Sequence, residues 1–310
     1  MTLQQIKYVI EIANCGSMNE AAKHLFISQP SLSNSIRDLE EELGISIFER
    51  TNRGISISEE GAEFLLYAKQ VLEQTEFIEN RYHGSNRKPI RFSIAAQHYA
   101  FIAEALINLI NERAYSEYEF KLKEMRTYEI IEDVKNLRSD IGILQLSDTN
   151  AKIMNKIFSD NNLRYTPLFN TNPHIFIGDQ HPLADRESVS LDELVEFPYI
   201  VFDQGNSSPL YFSEEMVNIN IPSKSIKVTD RATLSNLLIG TNSYTVGTGI
   251  VVPALNGDRI KSILIEDTPI VTIGWITHKD IKLKKAAIRY IEILNDVVSS
   301  NYFDLNNCLL

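Results

Sequence analysis

Residues 17–44 read SMNEAAKHLFISQPSLSNSIRDLEEELG, and this stretch decides the fold of the N-terminal region. Ser17 stands where a helix cap is expected, and Glu20 three residues later can complete a capping box. Ser28 can cap the next helix, and Pro30 falls in its first turn, where a missing N–H has no cost. Two short helices separated by a turn of a few residues are typical of a helix-turn-helix.

The second helix of this motif has one apolar and one polar face. On a helical wheel Leu32, Ile36 and Leu39 point one way, and the opposite face is short, polar and mildly basic. Such a face can enter the major groove of DNA, because Ser and Asn can hydrogen-bond to base edges and Arg can pair with guanine or a phosphate. The residues of this face that are predicted to contact DNA are Pro30, Ser33, Asn34 and Arg37.

The flanking residues predict a further helix and a wing. Apolar residues at helical spacing predict a helix of about twelve residues from Leu3, which Gly16 ends. Residues 47–58 predict a strand, a turn and a second strand. Arginines at the tip of such a wing can reach the phosphates beside the groove. The wing residues predicted to contact DNA are Arg50, Thr51, Asn52 and Arg53.

The charge of residues 1–58 alone argues against DNA binding. Five Lys and Arg side chains stand against seven Asp and Glu, a net charge of −2, whereas nucleic-acid-binding domains are usually basic. Three of the five basic residues nevertheless lie on the predicted recognition helix and wing, and the acidic run 40–42 lies at the far end of that helix. The whole chain carries a net charge of −11, so any contact with DNA has to be local.

Residues 21–40, followed by Leu43-Gly44 and Phe48-Glu49-Arg50-Thr51, closely resemble the N-terminal signature of LysR-type transcriptional regulators. The resemblance implies a winged helix-turn-helix, with the helix-turn-helix itself at about residues 18–37. Ser-Gln at the start of the recognition helix is characteristic of the family, which adds Gln29 to the expected DNA contacts. The partner implied is double-stranded operator DNA with two-fold half-sites.

A long helix is predicted after the wing. Ser58 can cap it, and the apolar residues from Phe64 to Tyr82 alternate spacings of four and three, as in a coiled-coil seam. We therefore expect residues 59–83 to pair with the same helix of a second copy. The alternative is a helix that packs on its own domain. The family resemblance also implies a homodimer or homotetramer, and the polar residues 84–89 predict a hinge.

From residue 90 onward, short apolar strands alternate with helices, which predicts an α/β domain. A turn and a helix are predicted around residues 181–183 and 191–195, and the last strand and helix are expected to return to the first of two lobes. Two lobes imply a cleft. The predicted domains are a DNA-binding domain (1–58), a linker helix (59–83), a hinge (84–89), a first lobe (90–163 and 268–300), a second lobe (164–267) and a C-terminal tail (301–310).

Ligands bind such sheets beyond the carboxyl ends of their strands. Gln97 and Thr127 each follow a strand and can orient a carboxylate or an amide at little desolvation cost. His98 is either a ligand contact or a satisfied histidine at a helix start, and Gly247 and Gly249 make either a tight turn or a backbone approach to the ligand. The predicted effector contacts are Gln97, His98, Tyr99, Arg126, Thr127, Phe202, Asp203, Thr245, Gly247 and Thr248.

This region is also similar to the LysR-family effector domain, which has a periplasmic-binding-protein-like fold. The similarity is carried by Ser139-Asp140-Ile141-Gly142-Ile143, His181-Pro182-Leu183-Ala184 and the segment from Gly247 to Pro253. Where many family members have Ser or Thr after the first strand, this chain has Gln97-His98-Tyr99. The predicted fold class is thus α+β multidomain, with a winged helix-turn-helix, a long linker helix and a two-lobed effector domain. The predicted function is transcription regulation switched by a small metabolite, with a contact to RNA polymerase.

Other classes of protein are disfavoured. The six histidines show no HExxH spacing, no serine lies in GxSxG, and no phosphate-binding loop occurs, so we expect no enzyme. Two cysteines provide neither a disulfide framework nor a zinc site, and we expect no cofactor or metal. The sequence has no stretch of about 18 apolar residues and no signal peptide. We therefore expect no membrane partner and a cytoplasmic location, and disfavour a solute-binding protein for transport.

Overall fold

The computed structural model describes residues 1–51, 54–83, 89–205, 209–217, 223–252 and 257–307. The chain divides into two compact units, Met1–Lys88 and Pro89–Leu310. Of the predicted hinge only Pro89 is described. Pro253, which closes the segment that resembles the family's effector domain, also lies outside the described residues.

Three helices begin the first unit, as the sequence predicts. Gly16 and Gly44 follow the first and the third of them with φ angles of 62° and 71°. Glycine adopts this left-handed conformation without strain, so the two residues end these helices. The helices are α1 (Leu3–Cys15), α2 (Met18–His24) and α3 (Gln29–Leu43).

Serine side chains cap α2 and α3. Ser17 Oγ accepts a hydrogen bond from the N–H of Glu20 at 3.5 Å, and Ser28 Oγ accepts one from the N–H of Ser31 at 3.3 Å. The predicted capping box at Ser17 is only half formed. The Glu20 carboxylate lies 2.7 Å from Lys23 Nζ, one turn along the same helix, because the ammonium group competes for it.

The apolar faces of the three helices meet in one core. Ile12, Leu32 and Leu39 are fully buried there. Ala21 and Ala22 are buried as well, and their small side chains let α2 approach its neighbours closely. The amphipathic spacing in the sequence therefore becomes the packing of a helix-turn-helix.

The predicted wing and long helix follow this core. β1 (Phe48–Thr51) and β2 (Gly54–Ile57) pair in antiparallel register. The helix α4 (Glu59–His83) begins after Ser58, whose Oγ accepts a hydrogen bond from the N–H of Gly61 at 2.8 Å. Ser58 is thus a side-chain cap, as expected.

The apolar stripe of α4 is covered only in part by its own unit. Leu65 and Ala68 are buried, and Leu65 belongs to the core of the first unit. Further along the helix, Val71 is 42% exposed and Ile78 is 56% exposed. The first half of the stripe therefore packs on its own domain, whereas the second half is open to solvent in a single copy.

The first lobe of the second unit is a sheet with helices packed on it. Its elements are β3 (Ile90–Ala96), α5 (Ala100–Asn111), β4 (Tyr118–Glu124), α6 (Thr127–Lys135), β5 (Ile141–Ser147), α7 (Ala151–Asp160), β6 (Leu163–Thr171), β13 (Val271–His278) and α9 (Lys285–Asn307). Among the described residues the strand order is β4-β3-β5-β13-β6. β3 is parallel to β4 and β5, and β13 is antiparallel to β5 and β6.

The second lobe is a mixed sheet with one longer helix. Its elements are β7 (His174–Gly178), β8 (Ser188–Val189), β9 (Tyr199–Phe202), β10 (Ser225–Val228), α8 (Arg231–Gly240), β11 (Tyr244–Gly247) and β12 (Ile260–Ile265). Its described strands lie in the order β10-β9-β11-β7-β12-β8. The carboxyl ends of the parallel strands β9 and β11 in this sheet contribute to the pocket described below.

The chain crosses between the lobes twice, between β6 and β7 and between β12 and β13. The crossings run side by side, because the N–H of Ile265 donates to the carbonyl of Pro173 at 3.0 Å and Thr171 lies opposite Val271 in the β6–β13 pairing. The predicted lobe boundary between residues 163 and 164 is wrong. β6 belongs to the first sheet, since it pairs along its length with β13, a strand about a hundred residues further along the chain.

Three local predictions also differ from the structure. Residues 181–195 contain turns and a short 3-10 helix at Asp192–Leu194 but no α-helix, since His181 Nδ1 accepts from the N–H of Leu183 at 3.1 Å and closes a turn. The sequence indicated no element between residues 147 and 163, where α7 lies. The predicted tail begins as helix, because α9 continues to Asn307.

None of the helices that the structure describes is both long enough and apolar enough to cross a membrane.

Candidate nucleic-acid interface and ligand pocket

Helix α3 exposes a polar stripe on the side away from the core. Pro30, Asn34 and Arg37 are exposed at helical spacing, and Gln29 and Ser33 are half-buried beside them. The structure therefore brings together on one face all five residues that the sequence predicts as DNA contacts on this helix.

Arg37 is the basic group of this face. Its side chain is 64% exposed, and its Nε lies 3.7 Å from Glu41 Oε1. An exposed pair of this kind stabilises the protein by at most about 1 kcal/mol. A guanine or a phosphate can therefore replace Glu41 as the partner of the guanidinium group.

The wing residues are described only in part. Arg50 and Thr51 end β1, but only their backbone is described. Asn52 and Arg53 lie outside the described residues. The contacts expected of these four residues therefore stay predictions.

The second unit contains a pocket of about 860 Å³, including the open solvent at its mouth. The first lobe contributes residues 98–100, at the start of α5, and the second lobe contributes the remaining wall. Most of that wall is apolar. Its large apolar residues are Phe176, Phe202, Leu234, Leu238, Ile250 and Ile260.

Two consecutive carboxylates, Glu214 and Glu215, also line the pocket. The Glu214 side chain is 7% exposed, and its Oε2 lies 2.8 Å from Nδ1 of His98. The His98 ring stacks on Phe202 with 3.7 Å between ring centres. The other carboxylate oxygen of Glu214, Oε1, is buried without a hydrogen-bond partner among the described residues.

Glu215 is held by a tyrosine. The Tyr199 hydroxyl donates to Glu215 Oε2, and the Tyr199 ring stacks on Tyr244 with 5.0 Å between ring centres. Burial raises the pKa of the Glu215 carboxyl to about 7; the Tyr199 hydrogen bond opposes this shift, and the charge of Glu214 adds to it. Glu215 is therefore only partly ionised near neutral pH.

Arginine side chains connect the two lobes. Arg231, at the start of α8, lines the pocket and donates through Nε to Glu124 Oε1 at the end of β4. Arg126 Nη2 lies 2.7 Å from Asp203 Oδ2, and its Nε donates to the Asp203 carbonyl at 2.8 Å. Both guanidinium groups thus pair with a carboxylate of the opposite lobe.

Gln97 and Thr127 bind to each other. Gln97 Nε2 donates to Thr127 Oγ1 at 2.7 Å, and Gln97 Oε1 accepts from the Tyr99 hydroxyl at 2.7 Å and from the N–H of Gln145 at 2.9 Å. The two residues are almost fully buried and lie outside the pocket lining. This network joins the ends of β3 and β5 to the start of α6.

Two family models match most of the chain. The model for the bacterial regulatory helix-turn-helix protein of the lysR family matches residues 3–62, and the LysR substrate binding domain matches residues 93–299. The chain belongs to the LysR family of transcriptional regulators. This LysR-family regulator therefore has a DNA-binding helix-turn-helix and a domain that binds a small effector, and it is not an enzyme.

Characterised and uncharacterised regulators resemble this LysR-family protein over most of their length. It is 26% identical over 287 residues to the uncharacterized HTH-type transcriptional regulator YybE of Bacillus subtilis, covering 89% of this chain and 92% of the relative. It is also 26% identical over 228 residues to the HTH-type transcriptional activator CmpR of Synechocystis, covering 71% of both chains.

Solved full-length structures share the fold. The structure of CbnR complexed with its target DNA matches with a TM-score of 0.54 at 19% identity, covering 96% of this chain and all of the other. A Corynebacterium glutamicum OxyR mutant matches with a TM-score of 0.52 at 19% identity, covering all of this chain and 95% of the other. At this level of identity the likeness shows the fold alone.

The pocket of this LysR-family regulator brings together part of the predicted effector site. Four predicted residues lie outside the pocket lining, because Gln97 pairs with Thr127 and Arg126 pairs with Asp203. The six predicted residues that line the pocket are His98, Tyr99, Phe202, Thr245, Gly247 and Thr248.

Packing requires the two glycines at the end of β11, Gly247 in the strand and Gly249 after it. A Cβ on Gly247 would lie 2.4 Å from the Phe176 ring, and a Cβ on Gly249 would lie 2.7 Å from the His174 ring. Gly249 also has a φ of 85°. The positive φ of Gly249 fits the tight-turn interpretation. Gly247 lines the pocket in addition.

Sequence reasoning missed the acidic part of the pocket. Glu214 and Glu215 lie in a segment without helical or strand periodicity, so nothing pointed to their burial. The sequence feature that could have pointed to this part of the pocket is the pair of adjacent acidic residues, although such pairs are usually exposed to solvent. Arg231 was recognisable only as the residue after Asp230, whose side chain caps α8.

Proposed function

We propose that this LysR-family regulator binds operator DNA with two-fold half-sites as a homodimer or homotetramer, and that a small metabolite in the pocket switches transcription. The observation that carries the proposal is the pocket, whose wall comes from both lobes. A DNA-binding unit joined to such a pocket is suited to a regulator that responds to a metabolite.

The polar stripe of α3 supports sequence-specific binding. Ser33, Asn34 and Arg37 offer donors and acceptors of the kind that read base edges in the major groove. Gln29 and Pro30 lie at the start of the helix, the end that enters the groove first in this motif. The DNA-bound CbnR structure, which shares the fold, is consistent with this use of the unit.

The exposed half of the α4 stripe supports self-association. Val71 and Ile78 are large apolar residues left open to solvent, and a second copy of α4 can cover them. Two copies would place two recognition helices on a two-fold operator. A contact with RNA polymerase and a cytoplasmic location, where operator DNA lies, follow from the same role.

The polar side-chain contacts between the lobes support a switch. Arg126–Asp203, Arg231–Glu124 and His98–Glu214 each join the two lobes around the pocket. A ligand that binds here changes the balance between two lobe arrangements only if it binds one of them more tightly. Coupling of this kind is typically about 1–3 kcal/mol.

A gel-shift titration tests the proposal. The full chain is titrated against DNA from immediately upstream of its coding region and against scrambled DNA of the same length, at physiological salt. Binding that is specific and falls with salt is expected. Equal, weak binding to both DNAs would contradict an operator at this position and would favour the alternative, a solute-binding protein without a role on DNA.

A further inference from the structure

The charges that face the pocket are mostly negative. Glu214 and Glu215 line it, the guanidinium group of Arg231 is already paired with Glu124, and the His98 ring already contacts Glu214. Among the described residues the pocket therefore has no cation free to bind an anionic ligand. The undescribed segments 206–208, 218–222 and 253–256 contain no charged residue in their sequence.

One oxygen of the Glu214 carboxylate lacks a hydrogen-bond donor. The Glu214 side chain is more than nine-tenths buried, His98 contacts only one of its two oxygens, and Oε1 has no partner among the described residues. A buried carboxylate oxygen without a donor is costly, by about 1–3 kcal/mol or more. A ligand that donates hydrogen bonds to this carboxylate would remove that cost.

The rest of the wall suits an apolar group. Phe176, Leu234, Leu238 and Ile260 provide aromatic and aliphatic surface beside the carboxylates. Apolar walls with a few placed polar groups are typical of sites for small organic molecules. The carboxylate favours a positively charged group, and the surrounding apolar side chains favour an apolar group on the same ligand.

We infer that the effector of this protein is an organic cation, an amine or guanidine on an apolar body, with Glu214 as its charged partner. The inference rests on the proposed function of the pocket. A carboxylate effector would bring another negative charge next to Glu214 and Glu215 without a free cation to compensate, and like charges at close range are unfavourable.

Calorimetry on the full chain tests this inference with matched probes. Hexylamine is compared with heptanoate, and phenethylamine with 3-phenylpropanoate, at about pH 8, where the amines remain protonated. Each pair shares its apolar body and differs in charge. We expect each amine to bind at least about tenfold more tightly than its carboxylate.

Two variants locate the binding. Glu214→Gln keeps the shape of the side chain and is expected to weaken amine binding by about tenfold or more, whereas carboxylate binding is not expected to weaken, because the substitution removes a like charge. Glu215→Gln provides an independent test if the first variant fails to fold, and it is expected to weaken amine binding as well. The matched control is Glu187→Gln, an exposed acid of the same lobe, which is expected to bind the amines like the natural chain.

Three results would overturn the inference: no binding of either amine, equal or tighter binding of the carboxylates, or amine binding that neither pocket variant weakens. Tighter binding of a carboxylate leaves the proposed function intact, because a small effector still binds. The proposed function fails separately, when a bound probe of either charge leaves the binding of operator DNA unchanged.

Discussion

At the residue scale, Glu215 makes stability depend on pH. Burial raises the pKa of its carboxyl to about 7, from an ordinary value of 4.5. Between pH 4.5 and about pH 7, the Glu215 carboxyl is ionised in the unfolded chain but still protonated in the folded chain. Above about pH 7 it is ionised in the folded chain as well, where the charge is buried. The free energy of unfolding therefore falls as the pH rises from about 4.5 to about 7 because of this group. Tyr199, Glu214 and Tyr244 are the titratable groups that interact with it.

Glu215→Gln removes this dependence. The stability of the variant relative to the natural chain is expected to increase by about 2–3 kcal/mol between pH 5 and pH 8. Urea denaturation followed by circular dichroism at the two pH values measures the difference. Glu187→Gln is the control, and the same pH dependence in both variants would contradict the buried position of Glu215.

A second prediction at the residue scale concerns Arg37, the basic residue on the exposed face of α3. Arg37→Ala is expected to reduce discrimination between operator and scrambled DNA by about 1–3 kcal/mol if the guanidinium reads a base. Gel-shift titration of both DNAs measures this ratio. Lys7→Ala removes an exposed cation from α1 and serves as the control. If the footprint on operator DNA and the ratio of the two affinities stay unchanged, Arg37 does not contact the DNA.

Among single residues, some roles followed from the sequence and others did not. The caps Ser17 and Ser28 depend only on near neighbours, so the sequence was sufficient to identify them. Glu214 depends on contact with His98, 116 residues away, and a contact at that separation has no local pattern. The exposed polar face of α3, on which the DNA contacts are predicted, was predictable because helical spacing alone separates exposed from buried positions.

At the scale of elements, the Gln97–Thr127 hydrogen bond holds α6 to the end of β3. Thr127→Val leaves Gln97 Nε2 buried without its partner, so the free energy of unfolding is expected to fall by about 1–3 kcal/mol. DNA binding is expected to stay, and the response to an effector to weaken, because the pocket residue Tyr99 also bonds to Gln97. Urea denaturation and gel shifts with the bound probe measure these effects. Unchanged stability would contradict the buried hydrogen bond.

The α4 stripe offers a second prediction at this scale. Val71→Glu together with Ile78→Glu is expected to shift the protein from dimer to monomer, because the charges would be buried at the proposed seam. Analytical ultracentrifugation measures the molar mass. Leu66→Glu places the same charge at an exposed position on another side of α4 and is the control. A dimer that survives the double substitution would exclude pairing through this stripe.

Elements with strong local signals were predictable, and those defined by distant pairing were not. The bounds of α3 followed from a cap, an apolar repeat and a terminal glycine. β6 was assigned to the wrong lobe, because only its pairing with β13 shows which sheet it joins. Between residues 179 and 195, local turns prevailed over the apolar spacing that indicated a helix.

At the scale of the whole molecule, the net charge of −11 affects the two units differently. It disfavours general adhesion to DNA, so specific binding has to depend on a few side chains, which are predicted to lie on α3 and the wing. In the effector domain it leaves the pocket acidic, because the arginines nearest to it are committed to joining the lobes.

The two neighbouring crossings between the lobes have a mechanical consequence. Each lies between paired strands, β6 with β13 on one side and β7 with β12 on the other, so the backbone there resists sliding and twisting more than bending. Two straps side by side form a hinge with a single axis. The lobes are therefore expected to open and close mainly by rotation about this one axis when a ligand binds, and not by many independent movements.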